Sequence, residues 1–294
     1  MNNGTLFVRK ISTSTRIYIF LILALAVSGV AQGQTASVYL DPASGLLAGG
    51  MRDTMTVIYD GTDVTVGLKS YHLIIDFDHT YVFVDSLSVH VVEGGFLQAV
   101  GATTFSASLD DPNTLIVDCA IDGVTPGAFG IGDLCAIAFT GQPTGDGVSP
   151  VAFVTVDLLD PDDVPIANAT NGGSIELDNT PPNIPTLDPE PEHSYGSSNY
   201  VSWSDESASG AVGYCSECSE FPDFRPIYMS SGCTPDLGFL FQPLEYNQIY
   251  YYRVQCRDDL WNTSDWSEVV FSTQLEPAAP AERTTWGVIK SLFQ

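Results

Sequence analysis

The side chains best supplied for chemistry are carboxylates: 36 Asp and Glu stand against ten Lys and Arg in 294 residues. Four of them, Asp157, Asp160, Asp162 and Asp163, fall within the segment VDLLDPDDVPIAN. Hard carboxylate oxygens hold calcium, so these four are the candidate calcium ligands. The Asp-x-Asp-x-Asp-Gly spacing of an EF-hand loop is missing and Pro161 interrupts the run. Asp-Pro-Asp-Asp reads equally well as a hairpin turn. No other cofactor is expected.

Cysteine is the second candidate class. Cys119, Cys135, Cys215, Cys218, Cys233 and Cys256 are read as disulfide candidates in an exported chain. Cys119 and Cys135 fall on successive predicted strands, which makes an intradomain bridge between them an expectation. The other four allow three pairings, which remain open. Cys215-x-x-Cys218 has zinc-ligand spacing, but a zinc ribbon needs a second such pair. The four histidines, His72, His79, His90 and His193, are scattered, with His72 and His90 on predicted strand positions. Gly-x-Ser-x-Gly, His-Glu-x-x-His, a P-loop and a dinucleotide fingerprint are all missing from the sequence. Carboxylate pairs of the kind a glycosidase uses arise by chance on so acidic a surface. No catalytic residue is assigned, and a binding protein rather than an enzyme is expected.

The elements that must position these groups are strands. In residues 68–89, LKSYHLIIDFDHTYVFVDSLSV, Tyr71, Leu73, Ile75 and Phe77 alternate with His72, Asp76 and Asp78. A period of two marks a half-buried strand. A short polar break at Asp78-His79-Thr80 leads to a second predicted strand over residues 81–92. Short strands at regular spacing, 26 Gly and 18 Pro as turn punctuation, and no convincing 3.6 period before the last dozen residues give an all-β chain of sandwiches.

Residues 1–31 carry Arg9, Lys10 and Arg16, then an apolar run over residues 17–27 and small residues after it, the layout of a secretory signal peptide. Eleven apolar residues are too few to span a bilayer, which needs about 20, so no membrane span is expected after cleavage. The remaining chain keeps seven Lys and Arg against 36 acids, a field that repels nucleic acid. A Pro-rich linker at residues 179–185 separates residues 34–178 from residues 186–274. Residues 275–294 read as a flexible spacer and a short amphipathic tail, in which Val288, Ile289, Leu292 and Phe293 share a face.

The alternating segment at residues 68–89, the strand GDLCAIAFT at residues 132–140 and the turn–strand unit DPDDVPIANATNGGSIEL at residues 160–177 together resemble a cohesin domain. The resemblance implies a jelly-roll β-sandwich, no catalysis, and a flat strand face offered to a dockerin-like protein or, as in related carbohydrate-binding sandwiches, to polysaccharide. Farther on, Tyr200-Val201-Ser202-Trp203, Gly213-Tyr214, the Leu244…Tyr250 corner, Tyr250-Tyr251-Tyr252-Arg253-Val254-Gln255-Cys256 and Asn262-Thr263-Ser264-Asp265-Trp266-Ser267 come in the order of a fibronectin type III domain, which they resemble. The fold class expected is therefore two β-sandwiches in tandem after a signal peptide, secreted or on the cell surface. The alternative is a structural surface spacer attached through its C-terminal tail. Tyr195, Tyr200, Trp203, Phe221, Phe224, Tyr228 and Trp261 are enough rings for a sugar platform in number only, and Trp203 is expected in the core.

Overall fold

The structure is a computed structural model that describes residues 35–205 and 210–277. The expected signal peptide at residues 1–31 and the amphipathic tail lie outside the described residues. The regular structure of the described chain is almost wholly strand, as the alternating pattern requires.

The first sandwich is built from β1 (Ala36–Asp41), β2 (Ser44–Leu47), β3 (Arg52–Asp60), β4 (Ser70–Phe77), β5 (Val82–Phe83), α1 (Leu87–His90), β6 (Val91–Glu93), α2 (Gly95–Gln98), β7 (Thr103–Asp111), β8 (Thr114–Ile121), β9 (Ile131–Gly141), β10 (Gly147–Leu159), β11 (Asn168–Asn171) and β12 (Gly173–Leu177). One sheet runs β11-β1-β3-β9-β5, with β6 also on β9; the other runs β2-β12-β10-β4-β8-β7. Successive strand side chains point to opposite faces. In β4, Tyr71, Leu73, Ile75 and Phe77 are buried, and their alternates are half-exposed. β8 behaves the same way, burying Leu115, Val117, Cys119 and Ile121. From the facing sheet come Met55, Val57 and Tyr59 of β3 and Ile137 and Phe139 of β9, all essentially buried. Between them these rows fill one core, and removing that apolar area from water is the main stabilising term.

The turn after β4 is set by Asp78, whose carboxylate accepts the Thr80 N–H at 2.9 Å. It sends the chain into the opposite sheet, where β5 pairs with β9. The single strand expected over residues 81–92 does not form: it breaks into β5, the one-turn helix α1 and β6. The break lies where the register on β9 changes between β5 and β6, and Asp85 sits in it. Its carboxylate takes Arg52 at 3.0 Å and also His90, while β5 and β6 both stay on β9 and the residues between them loop out as α1. His90 accordingly sits on a helical turn and not on a strand. Gly67 is dictated by space, because a Cβ there would stand 2.4 Å from the Pro126 carbonyl oxygen.

The linker is held rather than free. The Asn179 side-chain amide donates to the carbonyls of Gln142 and Gly145 at 3.1 and 2.7 Å, and Asn262 donates to the Asp178 carbonyl at 2.9 Å. The second sandwich comprises β13 (Thr186–Leu187), β14 (His193–Tyr195), β15 (Asn199–Ser204), β16 (Gly213–Ser219), β17 (Met229–Thr234), β18 (Gly238–Phe241), β19 (Gln248–Arg257) and β20 (Val270–Leu275). A three-stranded sheet, β13-β15-β18, faces a five-stranded one, β14-β20-β19-β16-β17. Tyr250, Tyr252, Val254 and Cys256 line the inner face of β19, and they pack with Trp203, Val201 and Phe241. The expectation of Trp203 in the core holds, since it is 3 % exposed.

Candidate functional site

The outer face of the β10-β4-β8-β7 sheet gathers the most distinctive side chains of the first sandwich. β4 lies between β10 and β8, and register aligns its outward residues into rungs. Asp157, His72, Asp118 and Ser106 form one rung, taken from β10, β4, β8 and β7 in turn. The next rung is Thr155, Ile74, Ile116 and Ser108; on the other side lie Leu159, Ser70, Ala120 and Thr104. A bulge between Phe153 and Thr155 of β10 turns out Val154, which is 59 % exposed. A bulge re-aims side chains at the point where it is inserted. Between the strands is a shallow hollow of about 290 Å³, lined by Ser70, His72, Ser106, Asp118 and Asp157 among others.

The polar rung is organised by one short contact. His72 Nδ1 lies 2.6 Å from Asp118 Oδ1, with the two side chains 37 % and 50 % exposed. At that exposure the pair adds little to stability, about 0–1 kcal/mol, and its consequence is to fix the imidazole. Farther along, Thr114 Oγ1 donates to Asp76 Oδ1 at 2.8 Å. Ile74 and Ile116 stand side by side as the apolar centre between these polar rows.

Ser, His and Asp on one rung invite comparison with a nucleophile triad, and the order of strands rules that out. Asp118 stands between His72 and Ser106. Adjacent strands are about 4.8 Å apart, so the imidazole and the hydroxyl sit on strands about 9.6 Å apart. A general base must come within about 3.2 Å of the proton it takes. The face has an apolar centre, Ile74 and Ile116, flanked by hydrogen-bonding groups.

The four acids named as calcium candidates are divided. Asp157 belongs to the sheet face. Asp160, Asp162 and Asp163 form the turn after β10, where Asp160 Oδ1 accepts the N–H groups of Asp162 and Val164, each at 2.9 Å. Asp163 adopts φ 60° and pairs with Lys69 Nζ at 3.1 Å. Among the described residues, no three His, Cys, Asp or Glu are grouped to hold a metal ion.

Of the six cysteines, Cys215 and Cys233 are bridged, directly opposite one another on β16 and β17. Cys119, Cys135, Cys218 and Cys256 are buried thiols. The bridge expected between Cys119 and Cys135 is not formed: the two lie in opposite sheets, and Cys119 Sγ donates to Glu93 Oε1 at 3.4 Å. Burial, then the Glu93 carboxylate, pushes the Cys119 thiol up to about 12. Burial raises Cys135 as well, and Cys218 to about 12.

Sequence alone singles out His72 and Asp157 on this face, but not Ile74, Ile116, Asp118 or Ser106. Their one signal is alternation within their own strands.

No protein-family model and no curated protein matches this chain. Solved structures do match it over about half its length, the half that forms the first sandwich. One is a non-cellulosomal cohesin from the hyperthermophilic archaeon Archaeoglobus fulgidus, 18% identical, covering 49% of this chain and 91% of that one with a TM-score of 0.39. Another is a type I cohesin–dockerin complex from Clostridium thermocellum, 16% identical, covering 52% of this chain and 99% of that one, TM-score 0.40. A third is the cohesin module of a Clostridium perfringens family 33 glycoside hydrolase, 8% identical, covering 49% of this chain and 96% of that one, TM-score 0.39.

Proposed function

We propose that this is an exported, non-catalytic docking protein whose first sandwich binds a dockerin-like partner through the outer face of β10, β4, β8 and β7. The observation that carries the reading is the rung order on that face: an apolar Ile74–Ile116 centre flanked by the polar row Asp157, His72, Asp118 and Ser106. Protein interfaces have this make-up, with a water-excluding centre and a polar rim. Polysaccharide is the weaker reading. Sugar rings stack on flat aromatic side chains, and none of the face residues placed on these rungs is Phe, Tyr or Trp.

The second sandwich is read as a fibronectin type III domain acting as a spacer. Supporting this is a tyrosine corner, in which the Glu245 N–H donates at 2.9 Å to the hydroxyl of buried Tyr250, five residues on. Export is supported by the Cys215–Cys233 bridge, since such bonds persist in oxidising compartments. Among the described residues, no helix is long and apolar enough to cross a membrane.

The test is biolayer interferometry of the full chain against a panel of purified dockerin modules, with a glycan array alongside. Saturable binding to a dockerin is expected. Burying an Ile is worth about 1.5–3 kcal/mol, so I74D and I116D should each weaken binding by at least roughly tenfold. Equal binding by the variants would move the site elsewhere. Silence on the dockerin panel with a glycan hit would replace the reading.

A further inference from the structure

The outer face of the five-stranded sheet of the second sandwich carries an exposed apolar patch. Tyr250 and Tyr252 of β19 and Ser272 and Gln274 of β20 are buried, so the positions between them face outward. Register sets Tyr251 opposite Phe271, with ring centres 5.9 Å apart. Tyr195 of β14 stands opposite Leu275, and Ile249 stands opposite Thr273, between those two pairs. Tyr195, Phe271 and Ile249 are 65 %, 53 % and 41 % exposed. Apolar side chains gathered in one exposed patch mark a surface that something binds. From Phe271 to Leu275 is four positions, about 13 Å, and from β14 to β19 is two strand spacings, about 10 Å.

The chain itself leaves from the edge of this patch. β20 ends at Leu275, and the described residues stop at Pro277. Ten residues of spacer composition, 276–285, lead to Trp286, Val288, Ile289, Leu292 and Phe293. Ten residues span about 33 Å when fully extended and about 17 Å on average as a flexible coil, enough to bring Trp286 back over any part of the patch. Wound as a helix, eleven residues measure about 16 Å by 10–12 Å, the size of the patch. A helix so short is marginal by itself, so its apolar stripe needs a face. Charge agrees with this occupant. Residues 283–294 hold Arg283 and Lys290 and no acid, on a chain with 36 acids against ten Lys and Arg. Glu192 borders the patch: its carbonyl accepts the Thr273 N–H at 2.9 Å, and its side chain is 84 % exposed.

We propose that residues 284–294 dock on the outer face of β14, β20 and β19 of their own chain, with Val288, Ile289, Leu292 and Phe293 against Ile249, Tyr251 and Phe271. A short flexible tether holds the tail at an effective concentration in the millimolar range. A second copy in dilute solution does not compete with that. The tail is thus a strap that closes the apolar side of the second sandwich.

The experiment reads Trp286 in the full chain, as the difference between the emission of the wild type and that of W286F. Docking is expected to shift this difference spectrum to the blue and to slow its quenching by acrylamide several-fold, relative to a synthetic peptide of residues 278–294. The shift should not depend on protein concentration. F271D, at an exposed position outside the core, should return Trp286 to the values of the peptide while circular dichroism stays unchanged. I249K, exposed on the neighbouring strand, is the second variant and should act in the same way. A wild-type spectrum for Trp286 equal to that of the peptide would overturn the proposal. So would a shielded Trp286 that neither variant moves, and so would shielding that grows with protein concentration, the mark of a second copy.

Discussion

Arg253 offers the sharpest test of how the second sandwich is held together. Its guanidinium lies 4.1 Å from the ring centre of Phe224 and 4.0 Å from that of Trp266, stacked between the two. Nε and Nη2 both donate to Glu217 Oε2, at 2.9 and 2.6 Å. The Arg253 and Glu217 side chains are only 22 % and 14 % exposed. Each cation–π contact is worth about 1 kcal/mol, and a hydrogen bond to a charged group about 1.5–3 kcal/mol. After a discount for residual exposure, R253A should cost about 3 kcal/mol. A domain this size loses about 4–8 °C per kcal/mol, so the expected fall in Tm is roughly 12–24 °C. The assay is intrinsic fluorescence on heating. All four tryptophans lie beyond the linker, at 203, 261, 266 and 286, so the signal reports on the C-terminal part of the chain. R253K should recover at most about half the loss, because an ammonium keeps the charge but neither stacks as a plane nor donates as a fork. A fall below about 4 °C for R253A, or full recovery with R253K, would refute the reasoning.

Removing the hydroxyl of Tyr250 strips the Glu245 N–H of its acceptor, so Y250F should cost about 1 kcal/mol, read as a Tm fall of roughly 4–8 °C by the same fluorescence; an unchanged Tm would mean water replaces the hydroxyl freely. Acid stability is the other expectation. Asp60, Asp78 and Asp146 are held below the usual carboxylate range, chiefly by hydrogen bonds from the Thr62, Thr80 and Thr180 side chains and then by backbone N–H groups, which for Asp146 is that of Asn179. A folded pKa below the unfolded value means that the unfolded chain binds the proton more readily. The stability these groups add is therefore complete above the unfolded value near 3.9 and lost as pH falls through the lower folded values. The T62V/T80V/T180V variant should be less stable at neutral pH, with a shallower loss on acidification when followed by circular dichroism; identical slopes would show that these contacts do not carry the effect.

Much of this protein was legible in the sequence wherever a local pattern decides the outcome. Alternation in residues 70–77 placed Tyr71, Leu73, Ile75 and Phe77 inside, and they are buried. The same rule assigned Tyr250, Tyr252, Val254 and Cys256 to one face, and they line the second core. A period of two follows from backbone geometry alone, so no knowledge of neighbours is needed. The strand expected over residues 81–92 failed because its two ends pair with β9 in different registers, a long-range pairing that overrides local propensity.

What tertiary structure alone decided is which strands lie side by side. His72 and Asp118 are 46 positions apart in sequence, and only the β4–β8 register makes them neighbours. β10 brings Asp157 to the same rung and leaves Asp160, Asp162 and Asp163 in the turn beyond it. The cysteines show the same division: composition named six candidates, and register joined Cys215 to Cys233 while holding Cys218 and Cys256 apart. Strand identity is written in a few consecutive residues, whereas register is fixed by the burial of a whole sheet face, because a slip of one residue would turn every apolar side chain outward.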